Sequence, residues 1–95
     1  ERVYEDDKMI VIRDVAPAAP VHVLMIPKAH TENIITAEPE LLLYMFGKVK
    51  ELAEKLGVNE KGFRIVANTG DDGGQTVKHL HIHLLGGKAL GWPPC

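Results

Sequence analysis

The sequence predicts an α+β fold, an antiparallel sheet carrying one main helix. Three features point there: short β-rich runs stopped by proline or glycine, a single stretch of helical periodicity, and a closing β pair across a glycine-rich turn. The 95 residues suffice for one small domain and not for two independent cores, so residues 1–95 read as a single domain. A core of that size is modest, and support from a partner subunit fits it.

The opening "ERVYEDD" looks abrupt, and a short upstream segment is expected to be missing. "MIVIRD" (Met9 to Asp14) reads as a strand, with Met9 and Val11 on one face and Ile10 and Ile12 on the other. "VAPAAP" holds two prolines and must be a loop. "VHVLMIP" (Val21 to Pro27) is a second strand, stopped by its proline. After a polar connection, "EPELLLYMFGKVKELAEKLG" predicts the helix. Pro39 suits its first turn, Glu38 and Glu40 its positive end, and Gly57 its C-terminal cap. Leu42, Met45, Val49, Leu52 and Leu56 repeat at helical spacing, and Glu51 and Lys55 can pair on the wet side. Residues 41–46, "LLLYMF", are apolar all round; one face can pack on the sheet, and the rest asks for a second surface. "GFRIVAN" (Gly62 to Asn68) is the third strand, "TGDDGG" a turn and "KHLHIHLL" the fourth strand. The tail "GGKALGWPPC" has no periodicity.

Composition excludes several classes. A hydrophobic fraction of 45% and a charged fraction of 25% are those of an ordinary globular protein. A net charge of −2 gives no general attraction to nucleic acid or an anionic membrane, so any phosphate must be bound by a few placed groups. The single cysteine, Cys95, allows no intrachain disulfide and no cysteine-built zinc site. With no signal peptide and no bilayer-length apolar run, a cytoplasmic location is expected.

The chemistry concentrates in "HLHIH", residues 79–83. On a strand His79, His81 and His83 share one face, while Leu80, Ile82 and Leu84 take the other. Two of these histidines can ligate one zinc, but His79 and His83 stand roughly 13 Å apart at about 3.3 Å per residue. A metal would need a further ligand, His22 or Asp14. A second reading leaves the histidines as decoration of a wet face. The third is catalysis, in which an imidazole attacks phosphorus and water breaks the phosphoramidate formed. That chemistry needs a donor-rich cradle, and "GGQT" (Gly73 to Thr76) lies just upstream, with two glycines and the hydroxyl of Thr76.

"GGQTVKHLHIHLLGG", preceded by "VIRDVAPAAPVHVLMIPKAH" and followed by "WPP", resembles the histidine-triad (HIT) superfamily over nearly the whole chain. "LLGG" and "WPP" look like its Hint branch, the purine nucleoside phosphoramidases. The diadenosine polyphosphate hydrolase branch has a similar "GQTVKH" run but is expected to differ after the triad. The resemblance implies a HIT-like fold of about five antiparallel strands with one main helix and a two-fold homodimer; no cofactor is expected, and the spread of the triad histidines predicts a site with no metal. It implies that His81 is the nucleophile, that the carbonyl of His79 orients it, that His83 contacts phosphate, and that His22 is a fourth active-site histidine. Thr76 matches a hydroxyl near the phosphate and leaving nitrogen. Asn68, Gly74 and Gln75 match the phosphate side. Asp14 matches the carboxylate that grips the ribose, Ile12 and Val15 wall the purine, and Trp92 approaches the neighbouring subunit's substrate. His30 in "IPKAH" matches a recurrent position and reads as structural.

Three departures stand out: Arg13 beside Asp14, Cys95 at a usual glycine, and the missing upstream segment. The implied activity is hydrolysis of the P–N bond of purine nucleoside 5′-phosphoramidates, with the nucleoside monophosphate as product. Dinucleoside polyphosphate hydrolysis or nucleotidyl transfer would share the intermediate. A nucleotide-binding regulatory scaffold is the alternative of another class. An aligned nucleophile beside "GGQT" favours chemistry, because binding alone does not need one.

Overall fold

Alternation decides which side of the sheet stays wet. The structure, a computed structural model, describes residues 2–94, so Cys95 lies outside the described residues. Five strands, β1 (Arg2–Glu5), β2 (Met9–Arg13), β3 (Val21–Pro27), β4 (Phe63–Val66) and β5 (Ile82–Gly86), form one antiparallel sheet in the order β1-β2-β3-β5-β4. Met9, Val11, Val23, Met25, Ile82 and Leu84 line one face and are fully buried. The helical segment covers that face with Met45, Leu52 and Ala53, and Leu80 and Val58 complete the cluster. Burying a side chain such as Ile82 or Leu84 contributes about 1.5–3 kcal/mol. A one-residue slip of β5 would exchange this anchor for histidines, so the register is strongly specified.

The helix differs from its expectation in one place. It runs as α1 (Pro39–Gly47) and α2 (Val49–Leu56), interrupted at Lys48. Gly47 is a weak helix former, and the Lys48 N–H reaches back to the Met45 carbonyl at 3.1 Å, a tighter bond than the α-helical one. Gly57 closes α2 in the left-handed conformation (φ 74°), as its place in the sequence predicts. The expected Glu51–Lys55 pair gives way to others: Lys48 reaches Glu51 at 4.0 Å, and Lys55 donates to the Val3 carbonyl at 2.6 Å.

β1 carries no clear sequence signal, being four residues long with an irregular register beside Tyr4. A carboxylate ties it to the helix. Asp6 accepts the hydroxyls of Tyr4 and Tyr44 and the amides of Lys8 and Met9. Desolvation works to raise the Asp6 pKa, but the bonds from Lys8, Tyr4 and Met9 and the charge of Lys48 together outweigh it and hold the carboxyl below its usual value.

The last strand starts later than expected, at Ile82 instead of Lys78. The β3–β5 ladder ends at Met25↔Ile82, and the next residues of β3 lead to Pro27, which has no N–H to give. Residues 77–81 therefore cross the end of the sheet outside the ladder.

Candidate active site

Cross-strand pairing brings the site together. Ile12 lies opposite Leu24, Leu24 opposite His83, and His83 opposite Val66, so one row of side chains crosses the open face. His22 stands two residues before Leu24 and therefore shares that face. Asp14 follows β2, and its N–H donates to the His22 carbonyl at 2.9 Å, which sets the carboxylate beside the imidazole. Asp14, His22, His83, His81 and His79 thus follow one another along the open face, from the start of β3 to its Pro27 end.

Hydrogen bonds fix where the ring protons sit. His81 Nδ1 lies 2.8 Å from the His79 carbonyl, which can only accept, so the His81 proton is on Nδ1. Nε2 of His81 then carries a free lone pair. The Ala18 N–H donates to His22 Nδ1 at 3.0 Å, so the His22 proton is on Nε2, 2.9 Å from His83 Nδ1 and 3.4 Å from Asp14 Oδ2. His83 accepts at Nδ1 and keeps an N–H at Nε2. Burial first, then the charges of His22 and His81, lower the pKa of His83, with Asp14 opposing. A neutral donor results. The rings of His81 and His83 meet edge-on, with centroids 5.2 Å apart.

The glycine-rich loop corrects part of the expected cradle. Gln75 is buried: its Oε1 accepts from Gly70 N–H (3.0 Å) and Asn33 Nδ2 (3.3 Å), and its Nε2 donates to the carbonyls of Glu32 (2.7 Å) and Val77 (3.1 Å). That uses the full capacity of the amide, so Gln75 braces the loop and has nothing left for a phosphate. The N–H groups of Gly74 and Gln75 also turn inward, to Asp71 and Gly70. Gly73 is needed for space, since a Cβ there would lie 2.4 Å from the Thr69 carbonyl oxygen. Asn68 donates one N–H to the Gly73 carbonyl at 2.7 Å and keeps the other. The Thr76 hydroxyl is exposed and has no hydrogen-bond partner among the described residues.

Comparison with known proteins decides the family. The HIT domain matches residues 1–90. An uncharacterised HIT-like protein of Synechococcus elongatus is 56% identical, over 97% of this chain and 82% of that protein. The crystal structure of a HIT family hydrolase from Legionella pneumophila superposes with a TM-score of 0.94 at 42% identity, over 99% of this chain and 87% of the other. A histidine triad nucleotide-binding protein from Candida albicans gives 0.82 at 30% identity, over 97% and 73%. This chain belongs to the HIT family.

Within the HIT site, the apolar walls are partly those expected. Ile12 is half-buried on the histidine face, whereas Val15 sits on the following loop, 98% exposed, and walls nothing within one chain. Arg13 ends β2 at the surface. Leu24, Ile26 and Val77 line a cleft of about 270 Å³ against His79 and His81. Sequence reasoning missed these three, although the alternation His22, Leu24, Ile26 put the first two on the histidine face. Trp92 is 81% exposed on the tail, where Arg64 holds the Gly91 carbonyl at 2.8 Å.

One cluster has the spacing of a metal site. Asp14, His22 and His83 each present a ligand atom, all within 4.8 Å of one another. The donor set does not fit. With Ala18 N–H on its Nδ1, His22 faces the other two groups with a proton and no lone pair. Ligation there would require both ring nitrogens to be bare, an imidazolate.

Proposed function

We propose that this HIT protein hydrolyses purine nucleoside 5′-phosphoramidates in the cytoplasm, through a nucleotidyl group carried on His81. The observation behind the reading is the 2.8 Å contact of His81 Nδ1 with the His79 carbonyl, which leaves Nε2 as a neutral nucleophile. In the first step the Nε2 lone pair attacks phosphorus, the P–N bond to the amine breaks, and the amine departs with a proton taken from solvent. In the second, water attacks phosphorus and gives a proton back to solvent, the P–Nε2 bond breaks, and the nucleoside monophosphate is released with His81 regenerated. His83 Nε2–H and the unpartnered Thr76 hydroxyl are the donors suited to the phosphoryl oxygens, with Asn68 adding its second amide proton. The His22 Nε2–H, shared between His83 and Asp14, lies next to this row.

Asp14 keeps acceptor capacity for ribose hydroxyls, since Oδ1 takes one amide, that of Ala16 at 2.8 Å. Ile12 and Leu24 supply apolar surface for a purine. The Legionella neighbour is a HIT family hydrolase and the Candida neighbour a nucleotide-binding protein, which supports hydrolysis of a nucleotide. The deciding experiment compares turnover of adenosine 5′-phosphoramidate and of diadenosine polyphosphates by the native chain and by His81→Ala. Preferred, His81-dependent cleavage of the phosphoramidate is expected. Preferred cleavage of the dinucleotides would replace the proposed substrate class, and turnover that survives in His81→Ala would overturn the mechanism.

A further inference from the structure

We infer that His30 is a positioning residue for the His81 nucleophile and acts through His79; the inference rests on the role of His81 proposed above. Residues 77–81 lie outside the strand ladder, so sheet pairing does not fix the His79 carbonyl that accepts the His81 proton. The loop after β3 fixes it instead. The Thr31 carbonyl takes the Leu80 N–H at 2.8 Å, and the Pro27 carbonyl takes the Nε2 proton of His79 at 2.9 Å. A carbonyl can only accept, so neutral His79 has its proton on Nε2 and a lone pair on Nδ1. That lone pair lies 2.9 Å from Nδ1 of His30, which must therefore donate. The His79 ring is gripped at both nitrogens, by the end of β3 and by His30, with the two rings 4.9 Å apart.

The grip matters because of what hangs on it. Without His30, the His79 ring keeps one hydrogen bond, about which it can swing, and its Nδ1 is open to a proton. The peptide bearing the His79 carbonyl would keep the Leu80 N–H bond to Thr31 but lose part of its hold through the side chain. It could then tilt about that bond, and the His81 Nδ1–H would meet a less closely placed acceptor. A misplacement of about 1 Å in a reacting group lowers rates by about 100-fold. His30 itself is exposed and contributes nothing to the core, so its removal leaves the packing intact. A merely structural histidine at this position would affect stability; a positioning one affects turnover.

The test uses the full chain with His30→Ala and His30→Asn. Asparagine presents an amide N–H as many bonds from the backbone as the imidazole Nδ1, so it can renew the donation to His79. With adenosine 5′-phosphoramidate, His30→Ala should lower kcat by about 10- to 100-fold while KM and Tm stay near native values. His30→Asn should recover most of the loss. In ¹⁵N spectra of the imidazoles, the His81 Nδ1–H resonance should be sharp in the native chain and in His30→Asn, and broadened by exchange in His30→Ala. Native kcat in His30→Ala, or an equal loss in His30→Asn, would overturn the inference. If the native chain turns over no phosphoramidate, the substrate reading fails and the spectra still decide: an unaltered His81 Nδ1–H in His30→Ala would sink the positioning role.

Discussion

His22 Nε2 lies 2.9 Å from His83 Nδ1, and the amide of Ala18 occupies the far nitrogen of His22. Donation therefore runs one way, from Ala18 to His22 to His83, and ends in an N–H on His83 Nε2. A separate chain runs from His30 through His79 to Pro27. Together they leave His81 the one triad member with a bare outward nitrogen. Hydrogen-bond order thus separates a bare ring nitrogen on His81 from an N–H donor on His83, using the same residue type for both.

His83 should titrate below the ordinary histidine value of 6.5, because burial dominates its environment, followed by His22 and His81. The sign for stability follows from linkage. A lowered folded-state pKa means that the unfolded chain takes the proton first. The contribution of neutral His83 is therefore complete above the ordinary value and is lost as pH falls through it towards the folded-state pKa. Asp14→Asn should lower the His83 midpoint further, since Asp14 is the charge opposing the shift. An NMR titration giving a His83 midpoint above the ordinary value would contradict this order.

Gln75 should matter for stability in a way that Thr76 does not. Gln75→Ala strips partners from the Gly70 N–H and from the carbonyls of Glu32 and Val77. It also frees the buried Asn33 amide, and leaving one such buried group unsatisfied costs about 1–3 kcal/mol. Thr76→Ala removes a hydroxyl with no partner among the described residues, and its stability change should stay within about 0.5 kcal/mol while turnover falls. Urea unfolding of the two variants checks both; equal midpoints would return Gln75 to the phosphate side.

These contrasts show what the sequence could and could not reveal. The face assignment of "HLHIH" was legible because it depends on local alternation, and Leu80, Ile82 and Leu84 are buried as that alternation requires. The late start of β5 was not, since Pro27, which lacks the needed donor, is far away in the chain. Gln75 misled for the same reason: its partners Glu32 and Asn33 belong to a distant loop. The His30–His79 contact joins residues 49 positions apart. Motif spacing located the row of histidines, whereas the hydrogen-bond partners that set the ring protons are tertiary.

The helix offers the surface for the proposed homodimer. On α1, Met45 is buried while Leu43 is 75% and Phe46 47% exposed. Two large apolar side chains on one short helix, next to a modest core, favour a two-fold partner that covers them. Sedimentation should give a dimer for the native chain and a monomer for the double variant Leu43→Glu, Phe46→Glu. A native monomer with full turnover would remove both the dimer and the expected approach of the partner's Trp92.

Turnover should be insensitive to chelators. The Asp14, His22 and His83 cluster has the distances for an ion but presents a protonated Nε2 at its centre. Added EDTA should leave the rate unchanged. Loss of activity in EDTA with recovery on adding zinc would show that His22 changes tautomer, and the proton order derived above would fall with it.

The sharpest expectation is a covalent nucleotidyl group on His81. Among the triad, His79 has its nitrogens committed to Pro27 and His30, and His83 has Nδ1 committed to His22. His81 alone combines an acceptor-fixed Nδ1–H with an uncommitted Nε2. Rapid quenching with substrate labelled in the nucleotide should therefore trap the label on a peptide containing His81, at Nε2. His81→Ala should abolish turnover and retain nucleotide binding, since Asp14, Ile12 and Leu24 are untouched. His81→Gly with added imidazole should regain some rate, because free imidazole can enter the space and present the same lone pair to phosphorus. Label on His22, His79 or His83 would show that the hydrogen-bond order does not select the nucleophile, while leaving the HIT fold as it stands.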